Sequence, residues 1–214
     1  MAQKKLEAVA SLLLRLRTAG IMDKRLFEAF EAIPRQNFVP IIFLDASYSP
    51  GSFPIECGQS MESADQLARI LLALDVQPGN RILEIGTGSG YVTALLAHMG
   101  GKVTSVDRYR TLIEKARQRL SQLKIDNVTL EQRDGRDGIE GQLYDRIFIS
   151  GALPQVPKQF LDQLASNGVL VAPIGPGDGV QTVTKLTKIG SRFEKEELFE
   201  TRCQPLEAGV ARAI

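Results

Sequence analysis

Gly86, Gly88 and Gly90 alternate in the stretch Leu83-Glu84-Ile85-Gly86-Thr87-Gly88-Ser89-Gly90-Tyr91, directly after the apolar run Arg81–Ile85. Glycines between a strand and a helix let the backbone turn tightly and approach a ligand with no Cβ in the way. That is how α/β proteins hold nucleotide-like molecules. A dinucleotide fingerprint wants G-x-G-x-x-G, whereas the spacing here is G-x-G-x-G, so glycine physics alone points only to a nucleoside-bearing ligand. Asp107, with Arg108 beside it, ends the next apolar run 21 residues beyond Gly86. A carboxylate at that offset accepts hydrogen bonds from both ribose hydroxyls. Asp134-Gly135 closes a third run, where a carboxylate can accept from an adenine amino group, and Ser150 ends a fourth. Singly, each is as much a turn residue or a helix cap; their order at successive strand ends is what points to a ligand. Glu84, two positions before the first glycine, either bonds the loop backbone or lies close to a ligand ammonium group.

These residues need elements to hold them. Leu6, Val9, Ala10, Leu13, Leu14 and Leu16 have helical periodicity, stopped at Gly20, and a second helix is expected over Asp23–Ala32 with Asp23 as N-cap. Residues 35–59 read as irregular chain. Ser63-Ala64-Asp65-Gln66 fits a capping box, and the helix it starts is expected to break at Pro78-Gly79. Strands are then expected at 81–85, 102–106, 128–132, 145–150 and 169–173, with helices at 91–99, 110–123 and 157–164 between them. A terminal hairpin is expected over 181–189 and 192–202. Strict alternation of β and α implies an α/β doubly wound, mostly parallel sheet of seven strands, its carboxyl ends carrying the site. The expected organisation is one unit, residues 1–62 forming a helical appendage with a loop and 63–214 the ligand-binding core.

Acids and bases nearly balance, 25 against 26, for a net charge of +1. No basic arm or polybasic patch favours a nucleic acid or membrane partner. No apolar stretch nears the roughly 20 residues a membrane span needs, and no signal-peptide core is seen, so a cytoplasmic protein is expected. Cys57 and Cys203 lack C-x-x-C spacing and histidine partners, so reduced thiols and no metal site are expected. His98, the single histidine, falls within the helix after the glycine loop, where a structural or exposed role is expected.

The E-x-G-x-G-x-G form from Glu84 to Gly90 resembles the first motif of class I methyltransferases, which implies a Rossmann-like methyltransferase fold and S-adenosyl-L-methionine as cofactor. Further segments resemble the protein-L-isoaspartate O-methyltransferases. Ile33-Pro34-Arg35-Gln36-Asn37-Phe38-Val39-Pro40 is similar to their V-P-R-x-x-F-V-P signature, and Pro54-Ile55-Glu56-Cys57-Gly58-Gln59-Ser60-Met61 to P-I-x-x-G-Q-T-I. Asp134-Gly135-Arg136-Asp137-Gly138 is similar to D-G-x-x-G, Leu170-Val171-Ala172-Pro173-Ile174-Gly175 to L-V-x-P-I-G, and Cys203-Gln204-Pro205-Leu206 falls at their V-P-L segment. The resemblance spans about residues 25 to 207. It implies methyl transfer to the free α-carboxylate of isoaspartyl residues in damaged proteins, a repair reaction. A carboxylate with a reference pKa of about 3.5 is already ionised, so no general base is needed and alignment and water exclusion carry the catalysis.

The resemblance implies cofactor-binding roles for Gln59, Ser60, Glu84, Gly86, Thr87, Gly88, Gly90, Asp107, Arg108, Asp134, Gly135 and Ser150, and catalytic positions at Ser60 and Glu62. One departure matters. The family motif continues G-Q-T-I-S, and its serine position is Glu62 here. A hydroxyl donates to a substrate carboxylate; an ionised glutamate cannot. Two like charges about 4 Å apart at an effective dielectric near 20 repel by roughly 4 kcal/mol. Three outcomes are open. Glu62 turns toward the positive end of the following helix, leaving Ser60 or Ser63 to serve; or the substrate differs; or the cofactor binds with little turnover.

Overall fold

Ile82 to Ile85 and Arg146 to Ile149 are buried at every residue. Strands of that kind need cover on both faces and belong in the middle of a parallel sheet. A computed structural model describing residues 2–211, with side chains from Leu6 onward, puts them there. Its helices are α1 (Ala2–Thr18), α2 (Lys24–Ala32), α3 (Ala64–Leu74), α4 (Tyr91–His98), α5 (Arg110–Gln122) and α6 (Lys158–Asp162). Its strands are β1 (Phe53–Pro54), β2 (Ser60–Met61), β3 (Arg81–Ile85), β4 (Lys102–Asp107), β5 (Val128–Gln132), β6 (Tyr144–Ile149), β7 (Leu164–Ile174), β8 (Gln181–Ile189) and β9 (Arg192–Thr201).

The main sheet has the order β5-β4-β3-β6-β7-β8-β9. β3 to β7 run parallel, while β8 and β9 close one edge as an antiparallel hairpin. The chain winds outward from β3 to β5, then returns to lay β6 against the other side of β3. The crevice at their carboxyl ends is therefore the topological switch point, where open α/β sheets bind ligands. The expected α/β, mostly parallel seven-stranded architecture is the one observed.

One apolar cluster covers a face of the sheet, joining Leu12 and Leu16 of α1, Phe30 of α2, and Leu67 and Leu71 of α3 to Val103, Phe148 and Val171. The other face packs Leu83, Ile85, Ile147, Ile149 and Leu170 against Phe160 of α6. Residues before and after position 62 thus share one core. Arg15 ties α1 to the start of α3 through a two-pronged contact with Asp65, at 3.0 and 2.9 Å. No helix among the described residues is long and apolar enough to cross a membrane.

Several boundaries differ from the sequence reading. β7 begins at Leu164 rather than 169, β1 and short turns lie within the stretch 35–59 expected to be irregular, and two helices end early. α3 ends at Asp75, before Pro78-Gly79: Asp75 takes a left-handed conformation (φ +49°), and Arg146 holds its carbonyl at 2.8 Å. α6 is only five residues long, because Leu164 already pairs with Tyr144 and the register then shifts. Asp23 caps α2 by accepting from Leu26 N–H at 2.8 Å. Ser63 caps α3, accepting from Gln66 N–H at 3.2 Å, but the Gln66 amide reaches Thr201 rather than completing the box.

Because its hydroxyl is engaged at the N-cap, Ser63→Ala should lower the unfolding free energy by about 1 kcal/mol. A urea titration would read this as a lower midpoint at constant m-value; an unmoved midpoint would mean that water serves the helix end equally well.

Candidate active site

The glycine loop is pinned from both neighbouring strands. Gly86 and Thr87 donate their N–H groups to Val106 O at 2.8 and 3.2 Å, and the Thr87 and Ser105 hydroxyls meet at 2.6 Å. On the other side Ser150 N–H and Oγ both donate to Ile85 O at 3.0 Å. Gly86 lies at φ +95°, and a Cβ there would overlap the Ser150 hydroxyl. Gly90 stands at φ +84° where α4 begins, and a Cβ would come within 2.9 Å of Ala116. Only glycine satisfies both the conformation and the contact.

Asp107 closes β4 with one oxygen on the glycine loop and the other on the start of α5. It accepts from Gly88 N–H at 2.9 Å and Tyr109 N–H at 3.0 Å. Burial pushes its carboxyl up from the ordinary range and these amides partly oppose that. Each carboxylate oxygen has a further lone pair to offer.

A single cleft at the switch point gathers Gln59, Ser60, Glu62, Gly86, Thr87, Gly88, Asp107, Arg108, Gly135 and Ser150. Those expected site residues come together although they lie on five separate segments. Three do not line the cleft. Glu84 is fully buried beneath it, because successive strand side chains face opposite ways; Thr93 of α4 donates to its Oε2 at 2.5 Å and its Oε1 has no partner. It neither bonds the loop backbone nor reaches the cleft, so it acts as a clamp between the two ends of the loop. Gly90 is turned onto α5. The Asp134 carboxylate accepts from two backbone amides, Arg136 N–H beside it at 2.9 Å and Gly209 N–H far along the chain at 2.5 Å. Ser63 is used by the helix cap, so of the two serines Ser60 alone lines the cleft with Glu62.

Sequence reasoning missed the segment from Cys203 to Glu207, which forms a wall of the cleft. Gln204 and Leu206 pair with Ala152 through the backbone, and Glu207 ion-pairs with Arg108. Its family-like Gln204-Pro205-Leu206 was the available signal, but nothing local says where a chain end will lie. Arg35 was missed as well. It is wholly buried, donating from Nε to Ser47 O at 2.8 Å and from Nη2 to Glu62 O. Its guanidinium sits 4.9 Å from the Tyr91 ring centroid. Both cysteines are free thiols, and burial raises each, Cys203 to about 12, which leaves it inert. His98 is exposed at the end of α4.

The profile of the protein-L-isoaspartate(D-aspartate) O-methyltransferase family matches residues 7–210. The chain belongs to this family. A protein-L-isoaspartate O-methyltransferase of Rhizobium meliloti (strain 1021) is 39% identical over 199 residues, 92% of this chain and 98% of that one. One from Azorhizobium caulinodans is 40% identical over 206 residues, 96% and 95% of the two chains. A solved structure from Plasmodium falciparum, described within the protein-L-isoaspartate O-methyltransferases and in complex with S-adenosyl-L-homocysteine, matches with a TM-score of 0.80. It is 25% identical and covers 92% of this chain and 97% of that chain. In this family member the glycine loop is clamped by an acid that burial raises to about 8, with Ser105 and Thr93 opposing the shift and Asp107 adding to it.

A carboxyl raised in the folded state stays protonated there after the unfolded chain has ionised. Stability is therefore unaffected below the unfolded pKa, falls as pH rises toward 8, and then stays level. Glu84→Gln should gain on the wild type between pH 5 and 8, by roughly 5 kcal/mol at most, in denaturation at several pH values. Parallel stability curves would show that Glu84 is ionised in place.

Proposed function

We propose that this protein transfers a methyl group from S-adenosyl-L-methionine to the free carboxylate of L-isoaspartyl residues in damaged proteins; relatives named protein-L-isoaspartate O-methyltransferase support this reading. The observation that carries this reading is the cleft itself. It sets Gln59, Ser60 and Met61, this chain's counterpart of the family's Q-T-I, against the glycine loop and the strand-end acid of a class I methyltransferase sheet.

The cleft suits the cofactor. Gly88 and Gly86 bring bare backbone to its floor, and Asp107 has acceptor capacity left for a ribose diol. Ile55, Val106 and Leu112 give apolar surface for a flat base. Gln59, Ser60, Thr87, Arg108, Gly135 and Ser150 would complete the binding wall, while Glu84, Gly90 and Asp134 would act behind it by fixing loop shape. When bound, S-adenosyl-L-methionine supplies an electrophilic methyl group on a sulfonium centre.

The residues of this chain then have three tasks. Gln59 and Ser60 face the ligand from the edge of the small β1–β2 ribbon and orient the incoming substrate. The wall from Cys203 to Glu207 excludes water, which strengthens each electrostatic contact inside. Asp107 fixes the ribose, so that a small rotation cannot move the reacting carbon out of line. No proton needs to be removed from an ionised carboxylate, which accounts for the distance of His98 from the cleft. The near-neutral surface favours protein substrates over nucleic acids, and two free thiols accord with a reducing cytoplasm.

Incubation with labelled S-adenosyl-L-methionine and a peptide pair differing only in isoaspartate against aspartate should label the isoaspartyl peptide alone. Labelling of both, or of neither, would refute the assignment. Separately, Asp107→Ala should weaken S-adenosyl-L-homocysteine binding by about 1–3 kcal/mol in calorimetry, the worth of charge-assisted hydrogen bonds; unaltered affinity would mean that the ribose lies elsewhere.

A further inference from the structure

The repair reading leaves a conflict at Glu62, since a glutamate stands where the substrate carboxylate must come. Glu62 follows directly on β2 and precedes the Ser63 cap of α3, so its backbone is fixed on both sides. Its side chain lines the cleft beside Ser60, Ser150 and Gln204. Among the described residues, no other side chain bonds to or ion-pairs with its carboxyl group; its own backbone N–H is the single donor it meets.

The groups that face it are few. Arg35 comes from the turn after α2. Its Nε and Nη2 donate to carbonyl oxygens, including that of Glu62 itself, and its Nη1 has no partner among the described residues. Its charge, without a hydrogen bond to the Glu62 carboxylate, works against the effect of burial. Glu84, from β3, is an acid that Glu62 makes harder to ionise. Cys203, beyond β9, is a neutral thiol whose ionisation Glu62 opposes. Asp65, in the first turn of α3, is neutralised by Arg15. Glu62 is half-buried, and its own amide and the Arg35 charge are the two influences that favour its ionised form.

We propose, building on the isoaspartyl reading above, that Glu62 is a specificity-determining residue that meets the substrate as a neutral carboxylic acid and donates a hydrogen bond to its carboxylate. In that form it does the work of the hydroxyl it replaces, because a protonated carboxyl has one O–H to give. Burial already raises Glu62 above the usual carboxylate range. An arriving carboxylate raises it further, since two such groups at close quarters cannot both ionise and instead share a proton. The cofactor's positive charge acts in the opposite sense, but it enters with the substrate's negative charge and the two largely offset. The balance is simple. The substrate oxygen gains its bond to carbon, the sulfur recovers the electron pair, and the shared proton stays with Glu62 as the neutral ester departs. The O–H bonds to the oxygen that does not attack, which leaves the other oxygen's lone pair for the methyl group.

Glu62→Gln keeps the shape and an N–H donor but has no charge to titrate. With isoaspartyl peptide, kcat/KM of the wild type should fall by about tenfold or more between about pH 5.5 and 8.5, as loss of one charge-assisted hydrogen bond implies. The Gln variant should match the wild type at the acid end and stay flat above it. A binding readout separates this from effects on turnover. With S-adenosyl-L-homocysteine present at about pH 8, isoaspartyl-peptide binding measured in buffers of different ionisation enthalpy should take up close to one proton in the wild type and none in the variant. Two results would overturn the proposal. If the Gln variant exceeds the wild type by one constant factor at every pH, Glu62 is a permanent anion; if the two profiles coincide, it has no contact with substrate. A third result, in which neither protein labels isoaspartyl peptide at any pH while both bind S-adenosyl-L-homocysteine, overturns the repair reading itself and this inference with it.

Discussion

The pairing of β3 with β6 is the constraint on which the cleft depends. The two strands come from distant parts of the chain and meet because each is buried on both faces. At their shared carboxyl end Ser150 takes hold of Ile85 through both its amide and its hydroxyl. That fixes where β3 stops and the glycine loop starts. Val106 O, from β4 on the other side, receives the next two amides. The loop is thereby held by both neighbours before any ligand arrives. A loop held this way loses little entropy on binding, which is the physical content of preorganisation. The outward winding from β3 and the return to β6 are thus the reason the site is preformed.

The same economy explains why acids collect beneath the site at a cost. Glu84 is fully buried with one oxygen unpartnered, and Asp107 is almost as deep. Unpaired buried carboxyl groups destabilise a fold by several kcal/mol unless they take up a proton. Asp107 is compensated by two amides, whereas Glu84 has a hydroxyl and protonation. The difference matches their places. Asp107 must present a charged face to the cleft, and Glu84 needs only to bind Thr93 to the strand and keep α4 at the mouth of the loop. Stability is given up at the switch point and recovered in the two apolar clusters that cover the sheet.

Much of this was legible in the sequence, for reasons that differ by element. β3, β4 and β5 announce themselves by apolar runs that end in glycine or acid, and those local signals fix both the strand and its ligand-facing end. Asp23 and Ser63 were readable as caps because an N-cap uses a side chain within three residues of its target. Asp134 follows a strand end as expected, but its contact with Gly209, 75 positions away, is shown by no local pattern. The place of the wall from Cys203 to Glu207 escapes local reading for the same reason, although its family-like Gln204-Pro205-Leu206 is a signal. Glu84 was seen as acidic but not as buried, because a strand hemmed in on both faces gives no alternation to tell inward from outward.

Arg35 shows how far a nonlocal requirement can reach. Residues 35–62 contain three short turns and a ribbon of two residue pairs, too little regular structure to satisfy their own backbone or to stand alone. A buried guanidinium supplies the donors that segment lacks, bonding Ser47 O and Glu62 O across 15 residues of chain. Its backbone amide meets Tyr48 Oη at 3.0 Å, and the Tyr91 and Phe53 rings flank its charge. Burying a cation is expensive, and Nη1 of Arg35 has no hydrogen-bond partner among the described residues, so the flanking rings offset part of that cost. The geometry of arginine, five donors in one plane, suits carbonyls that diverge. Lysine would offer a single point of charge and could not span both carbonyls. The arginine of the family-like segment therefore acts on the cleft through shape: by holding Glu62 O it fixes where Ser60 and Glu62 stand along the wall, and it does not line the cleft itself.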